Sequence, residues 1–139
     1  MARFRFARGS QMSKRPAPRQ IIFFFLVLLA VWQFKAVLAG PGDIEAARKA
    51  WPMINNGALL VDVRSEEEFV SGHLEGAINI EWDRIDALAR AIGSDKQRQV
   101  VFYCRSGNRA GKSITQLRSL GYTNIFNATG LEVLLETKP

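Results

Sequence analysis

The stretch that most constrains the fold of this chain is Gln99–Lys112, with the sequence QVVFYCRSGNRAGK. Its apolar, β-branched and aromatic start predicts a buried strand that ends at Cys104, the only cysteine in the sequence. A polar loop follows from Arg105 to Asn108, and Arg109 opens a helical pattern. In such a strand–loop–helix unit, backbone N–H groups converge on one point. The segment therefore predicts an anion-binding cradle within an α/β domain.

Cys104 is predicted to be a nucleophile at this cradle. The positive end of the helix dipole and the side chains of Arg105 and Arg109 all favour the thiolate over the thiol. A lone cysteine at the end of an apolar strand is most often a small buried hydrophobe. The following loop, however, has no apolar residue against which such a cysteine would pack. At Gly107 we expect a backbone angle that a side chain would disfavour.

Several further segments, together with this loop, resemble the rhodanese (thiosulfate sulfurtransferase) family. Cys-Arg-Ser-Gly-Asn-Arg at 104–109 resembles its active-site loop, and LLVDVR at 59–64 resembles its strand ending in Asp-x-Arg. EEEFVSGHLEGAINI at 66–80 resembles its Glu-Phe-x-x-Gly-His-Ile-x-Gly-Ala-x-Asn-Ile motif, and NATGL at 127–131 its Gly-Gly segment. The likeness spans nearly all of residues 43–139, and is greatest to small exported single-domain members of the phage-shock-protein E type.

The resemblance implies a sulfurtransferase. Such an enzyme moves a sulfane sulfur from thiosulfate or a similar small anionic donor to a thiol or cyanide acceptor. The sulfur is carried as a persulfide on Cys104, and no cofactor is required. The resemblance also implies that Asp62 and Arg64 brace the active loop. The residues that it assigns to substrate binding are Arg105, Ser106, Gly107, Asn108 and Arg109.

Two other functions remain open for a chain with this loop. A thiolate-based phosphatase or arsenate reductase of the same fold would use Cys-x5-Arg spacing around a tetrahedral oxyanion. The spacing here is Cys104-x4-Arg109, one residue shorter, and a smaller cradle suits a sulfur atom better. A non-catalytic rhodanese-like binding module is the other alternative, and loss of the cysteine would be its signature. The cysteine is present.

The remaining candidate chemistry in the sequence is limited. His73 is the only histidine, and we expect it to be structural rather than a partner of the cysteine. One cysteine and one histidine cannot supply a set of metal ligands, so no metal site is predicted. Ser65 and Glu68 fit a helix capping box, which accounts for the Glu66–Glu68 run without an acid–base site.

The basic charge of the chain is confined to its first 39 residues. These hold seven basic residues and no acidic one, although the whole chain carries a net charge of +6. The other hundred residues hold twelve basic against thirteen acidic residues, a net charge of −1. The basicity therefore belongs to a leader, and it does not predict nucleic-acid binding.

This leader is predicted to be a signal peptide. A basic, proline-containing start precedes an apolar run at 21–32, and the segment ends on Val37-Leu38-Ala39 with a cleavage site after Ala39. The expected location is then outside the cytoplasm, in the periplasm. The alternative is a membrane anchor formed by residues 21–39, which would place Gln33 and Lys35 inside the span. Residues 40–139 are predicted to form the single rhodanese-like domain.

Within residues 40–139, strand and helix patterns alternate. A helix is expected at 43–50, with Asp43 as its N-cap and Pro52 ending or kinking it. A second helical pattern begins at Trp82 and stops at Gly93, and a third has Gly121 just beyond its end. Alternation of this kind predicts a central parallel sheet flanked by helices on both faces. The site of such a sheet lies at the carboxyl ends of its strands.

Overall fold

A computed structural model of the chain describes residues 40–139. The predicted leader and its cleavage site lie outside the described residues, up to Ala39. Helices and strands alternate along the described part: α1 Pro41–Asn55, β1 Leu59–Asp62, α2 Glu66–Val70, β2 Ile78–Asn79, α3 Ile85–Ile92, β3 Val100–Cys104, α4 Asn108–Ser119, β4 Ile125–Gly130 and α5 Leu131–Glu136.

The four strands form one parallel sheet in the order β2-β1-β3-β4. Asp62 at the end of β1 lies opposite Tyr103 in β3 and Asn79 in β2. Cys104 at the end of β3 lies opposite Gly130 in β4. The carboxyl ends of the central strands therefore meet at one edge, which is where ligands bind to sheets of this kind.

Helices cover both faces of this sheet, as the sequence predicts. One hydrophobic core contains Leu88 and Ile92 of α3, Ile114 and Leu117 of α4, and Phe102 of β3. The other contains residues of α1 and α5 packed on the opposite face, with Val101 and Tyr103 of the same strand. All five residues of β3 are buried because the strand lies between these two cores.

The first helix differs from its prediction at both ends. Gly40 is its N-cap, and Asp43 instead lies in the first turn, where its Oδ2 accepts the Gly40 N–H at 3.1 Å. The helix continues through Pro52 to Asn55. A proline inside a helix costs about 3 kcal/mol. Pro52 is exposed, whereas Ala47, Ala50 and Trp51 are buried against the sheet, and this burial keeps the helix continuous.

The other helix limits follow the sequence more closely. The Ser65–Glu68 capping box is present at the start of α2, so that prediction is confirmed. Gly93 ends α3, and Gly121 follows the end of α4 with a φ of 91°. Trp82, however, precedes α3 instead of opening it. Its ring packs against the core, and its carbonyl accepts a hydrogen bond from Ser113 Oγ at 2.8 Å.

Candidate active site

Cys104 lies at the carboxyl end of β3, at the start of a loop that leads into α4. The residue is 1% exposed, whereas Arg105, Ser106 and Asn108 are exposed. Gly107 is buried and is the N-cap of α4. The loop thus places its polar side chains toward solvent and its backbone around the sulfur.

One backbone N–H among residues 40–139 donates to the cysteine sulfur: Gly107 N lies 3.1 Å from Cys104 Sγ. Gly107 has a φ of 85°, in the left-handed region that the sequence analysis expects there. No side chain caps this helix, and its first turn holds no acidic residue. The N–H groups at the start of α4 are therefore available to an anion.

Residues at the end of β4 contact the backbone of the cradle. Asn127 Nδ2 donates to the Gly107 carbonyl at 3.0 Å, and Asn127 Oδ1 accepts the Thr129 N–H at 3.0 Å. Gly130 is so close to the loop that a Cβ on it would lie 2.5 Å from the Arg105 carbonyl oxygen. The sequence motifs did not place Asn127 or Gly130 in the site. The resemblance of 127–131 to a family segment was the signal that could have indicated them.

Arg109 forms a two-pronged ion pair with Glu68 of α2. Its Nη1 donates to Glu68 Oε2 at 2.6 Å and its Nη2 donates to Oε1 at 2.9 Å. The hydrogen bond from Arg109 is the main cause that lowers the pKa of Glu68 to about 2, and the same contact raises the pKa of Arg109. The negative charge of a Cys104 thiolate adds to this rise. Glu68 is thus both a capping residue, as predicted, and an ion-pair partner, which the sequence did not indicate.

The two loop arginines therefore differ in their surroundings. The charge of Arg109 is paired with the Glu68 carboxylate. Arg105 is exposed, and it forms no ion pair within the part of the chain that the structure describes. The charge of Arg105 is therefore accessible from solvent and is not neutralised by a neighbouring carboxylate of residues 40–139.

Asp62 and Arg64 form a buried ion pair near the same edge of the sheet. Arg64 Nη2 donates to Asp62 Oδ2 at 2.6 Å, and Arg64 Nε donates to both carboxylate oxygens. Burial lowers the pKa of Arg64, but its hydrogen bond with Asp62 and the Asp62 charge raise it further, so the net shift is upward. Arg64 Nη2 also donates to the Gly72 carbonyl at 2.7 Å. Within residues 40–139, the side chains of this pair therefore bond each other and the segment after α2. None of these hydrogen bonds includes residues 105–109.

The side chains that could act as general bases have other partners. His73 stacks on Phe69 with ring centroids 3.7 Å apart, and its Nδ1 lies 2.9 Å from the Phe69 carbonyl oxygen. These contacts are local to α2 and its C-terminus. Burial raises the pKa of Tyr103 well above its ordinary value, and its hydroxyl accepts the Leu74 N–H at 3.1 Å. Among residues 40–139, Cys104 is therefore the candidate nucleophile at this edge of the sheet.

Residues 40–139 contain neither a candidate metal-ligand cluster nor a candidate membrane-spanning helix. His, Cys, Asp and Glu side chains in this range form no group of three or more that could hold a metal ion. No helix in this range is both long and apolar enough to cross a membrane.

Known proteins are similar to this chain in sequence and in fold. The chain is 35% identical over 72 residues to thiosulfate sulfurtransferase PspE of Escherichia coli, covering 52% of this chain and 69% of that protein. A solved rhodanese with anions from E. coli is also 35% identical, with a TM-score of 0.52, over 55% of this chain and 91% of that one.

Other relatives are longer proteins with different names. The chain is 34% identical to a tRNA uridine(34) hydroxylase of Erwinia tasmaniensis, over 52% of this chain but only 22% of that protein. The chain thus spans about a fifth of that relative, and the named activities of such relatives belong to much larger proteins. The sequence profile of the rhodanese-like domain matches residues 46–130, which is more than half of the chain. The chain therefore belongs to the rhodanese-like domain family.

Proposed function

We propose that this protein is a sulfurtransferase that carries sulfur as a persulfide on Cys104, with thiosulfate or a similar small anion as donor. The observation that carries the proposal is the hydrogen bond from Gly107 N–H to the buried Cys104 Sγ at the N-terminus of α4. A donor at this position stabilises an anionic sulfur. Membership of the rhodanese-like family and the sulfurtransferases among the relatives support sulfur transfer as the general activity.

The proposed reaction has two steps that balance in atoms and charge. The Cys104 thiolate attacks the outer sulfur of thiosulfate, a new S–S bond forms, and sulfite leaves with the electron pair of the broken S–S bond. Cyanide or a thiolate then attacks the outer sulfur of the persulfide, and the Cys104 thiolate is released. No cofactor takes part in either step.

The burial of Cys104 favours a small donor. Because the residue is 1% exposed, we expect only a terminal sulfur to enter the cradle. The sulfonate of thiosulfate would stay at the surface, where Arg105 is exposed. Attraction between Arg105 and a dianion would then raise the local concentration of the donor. In this scheme Ser106, Gly107, Asn108 and Arg109 form the rest of the binding loop.

Substitution of the cysteine tests the mechanism. Cys104→Ser removes the nucleophile but little volume, so we expect sulfur transfer to cyanide to be lost while the protein remains folded. Mass spectrometry of the wild-type protein after thiosulfate treatment should find one added sulfur on Cys104. The control is Ser94→Ala, which removes an exposed hydroxyl before the start of β3, away from Cys104, and should still accept the sulfur.

Assays of the wild-type protein separate the alternatives. Hydrolysis of an aryl phosphate by the wild-type protein, faster than its transfer of sulfur, would favour the phosphatase. A wild-type protein that accepts no sulfur from thiosulfate or from other sulfane donors would favour the binding module. The length of the loop, one residue shorter than Cys-x5-Arg, is the reason that we rank sulfur transfer first.

A further inference from the structure

The pairing of β3 with β4 contains a β-bulge beside Cys104. Phe102 lies opposite Asn127, and Cys104 lies opposite Gly130, so the register shifts between these two pairs. One residue of β3, Tyr103, therefore faces two residues of β4, Ala128 and Thr129. Bulges are common next to active sites, where the extra residue redirects a side chain.

Thr129 has a backbone conformation that is rare for a β-branched residue. Its φ is 69°, the one positive value at a non-glycine residue in the described part of the chain. Thr129 packs against the cradle, since a Cβ on Gly107 would lie 3.2 Å from Thr129 Cα. Its N–H is held by Asn127 Oδ1 at 3.0 Å. Residues held in such conformations concentrate at functional sites.

The Thr129 hydroxyl is buried and has no hydrogen-bond partner. The residue is 8% exposed, and its Oγ1 is the one buried side-chain polar atom without a partner among residues 40–139. A buried polar group without a partner destabilises a protein, and nearly all are satisfied. Thr129 thus combines a strained backbone with an unpartnered hydroxyl. It lies next to Gly130, the pairing partner of Cys104, and packs on Gly107, whose N–H donates to Sγ.

We propose that the Thr129 hydroxyl is a hydrogen-bond donor for the outer sulfur of the Cys104 persulfide. In the sulfur-free protein, Sγ has its donor at Gly107 and the Thr129 hydroxyl has no partner. Loading adds a second, anionic sulfur to the cradle, and that sulfur needs a donor of its own. The inference rests on the proposed function, because it assigns a residue to the same intermediate.

Three variants of Thr129 separate the hydroxyl from the shape of the side chain. Thr129→Val keeps the β-branch and removes the hydroxyl, whereas Thr129→Ser keeps the hydroxyl. Thr129→Ala removes the hydroxyl without adding bulk, so the Ala-to-Ser comparison decides if valine disturbs the fold. Thr123→Val is the matched control. Thr123 is exposed, and its hydroxyl makes only a long hydrogen bond, to the Lys96 carbonyl at 3.5 Å.

The measured quantity is the midpoint of persulfide ionisation, which is determined from the ultraviolet absorbance of the persulfide as pH varies. Each protein is loaded with sodium disulfide, which does not depend on thiosulfate chemistry, and the single added sulfur is verified by mass. Loss of a hydrogen bond to a charged group should move the midpoint of this titration upward by about one pH unit in the valine variant. The serine variant and the Thr123 control should keep the wild-type midpoint.

The charged groups around the cradle stay the same in all of these proteins. They are Arg105 in the loop, Arg109 with Glu68, and the Asp62–Arg64 pair. If the Thr129 hydroxyl has only a structural role, we expect a different result for the midpoint and for the melting temperature. Removing an unpartnered buried group should then raise the melting temperature of the valine variant and leave the midpoint unchanged.

The outcomes distinguish this inference from the proposed function. An unchanged midpoint in the valine and alanine variants, or a wild-type protein that sodium disulfide does not load, overturns the role of Thr129. A shifted midpoint in a protein that thiosulfate fails to load supports Thr129 and contradicts thiosulfate as the donor.

Discussion

At the scale of single residues, the two arginines next to Cys104, Arg105 in the loop and Arg109 in the first turn of α4, have different surroundings. Arg109 is tied to Glu68 and part-buried, whereas Arg105 is exposed and unpaired among residues 40–139. Arg109 links α4 to α2, whereas Arg105 is available to a substrate. Each can be tested by one substitution with a matched control.

Arg105→Ala should raise the KM for thiosulfate severalfold and change the free energy of unfolding by less than about 0.5 kcal/mol. The reason is that an exposed charge contributes little to folding but attracts a dianion. The defect should shrink as salt increases, because the attraction is screened. Arg118→Ala, a distant exposed arginine, is the control. A defect that salt does not alter would mean that Arg105 shapes the loop.

Glu68→Gln should change how stability depends on pH. The pKa of Glu68 is lowered from 4.5 to about 2 in the folded protein, mainly by Arg109. A lowered carboxylate pKa adds stability above about pH 4.5, and this stability is lost as pH falls toward 2. Because the pair is partly exposed, we expect about 1 kcal/mol at neutral pH.

Urea unfolding at pH 7 and pH 3 provides the measurement for this pair. The glutamine variant should be less stable than wild type at pH 7, and the difference should be smaller at pH 3, where the contribution of Glu68 is partly lost. Glu67→Gln, an exposed neighbour on the same helix, should resemble wild type at both pH values. An equal loss of stability at both pH values would show that the ion pair does not cause it.

At the scale of elements, the junction of β4 and α5 fixes the shape of the cradle. Gly130→Ala should destabilise the protein by about 2 kcal/mol and reduce sulfur transfer, since the new Cβ would lie 2.5 Å from the Arg105 carbonyl oxygen. Gly130 has an ordinary φ of −104°, so the expected effect comes from the contact alone.

Gly42→Ala is the matched control for this junction. A Cβ at Gly42 meets nothing within 4 Å, and alanine suits the helix in which it lies. Thermal unfolding and transfer assays on both variants decide the matter. If Gly130→Ala unfolds and transfers sulfur like wild type, the junction does not constrain the loop.

At the scale of the whole molecule, the leader remains a prediction. Its basic start, apolar run at 21–32 and small residues before Gly40 predict cleavage and export. N-terminal sequencing of the native protein should therefore begin at or within a residue or two of Gly40. A native protein that keeps residues 21–32 and sediments with membranes would instead be anchored there.

Local sequence patterns predicted most of the elements and their order. Apolar runs and helical spacing predicted the parallel sheet with helices on both faces, because these periodicities depend on near neighbours in the chain. The capping box at Ser65 and the left-handed glycine at Gly107 were also predictable, since both are local features. The expected end of α1 at Ala50 is wrong, since the helix continues through Pro52 to Asn55 and burial against the sheet outweighs the local preference.

The surroundings of the cysteine depend on contacts between segments that are far apart in the sequence. Glu68 meets Arg109 across 41 positions of sequence, and Asn127 meets Gly107 across 20. The bulge at Thr129 depends on how β4 pairs with β3, which no pattern within β4 encodes. Such contacts form when distant segments are brought to the same edge of a parallel sheet. Local spacing therefore predicted a cysteine in a cradle, and the pairing of elements supplied the groups that hold the cradle in place.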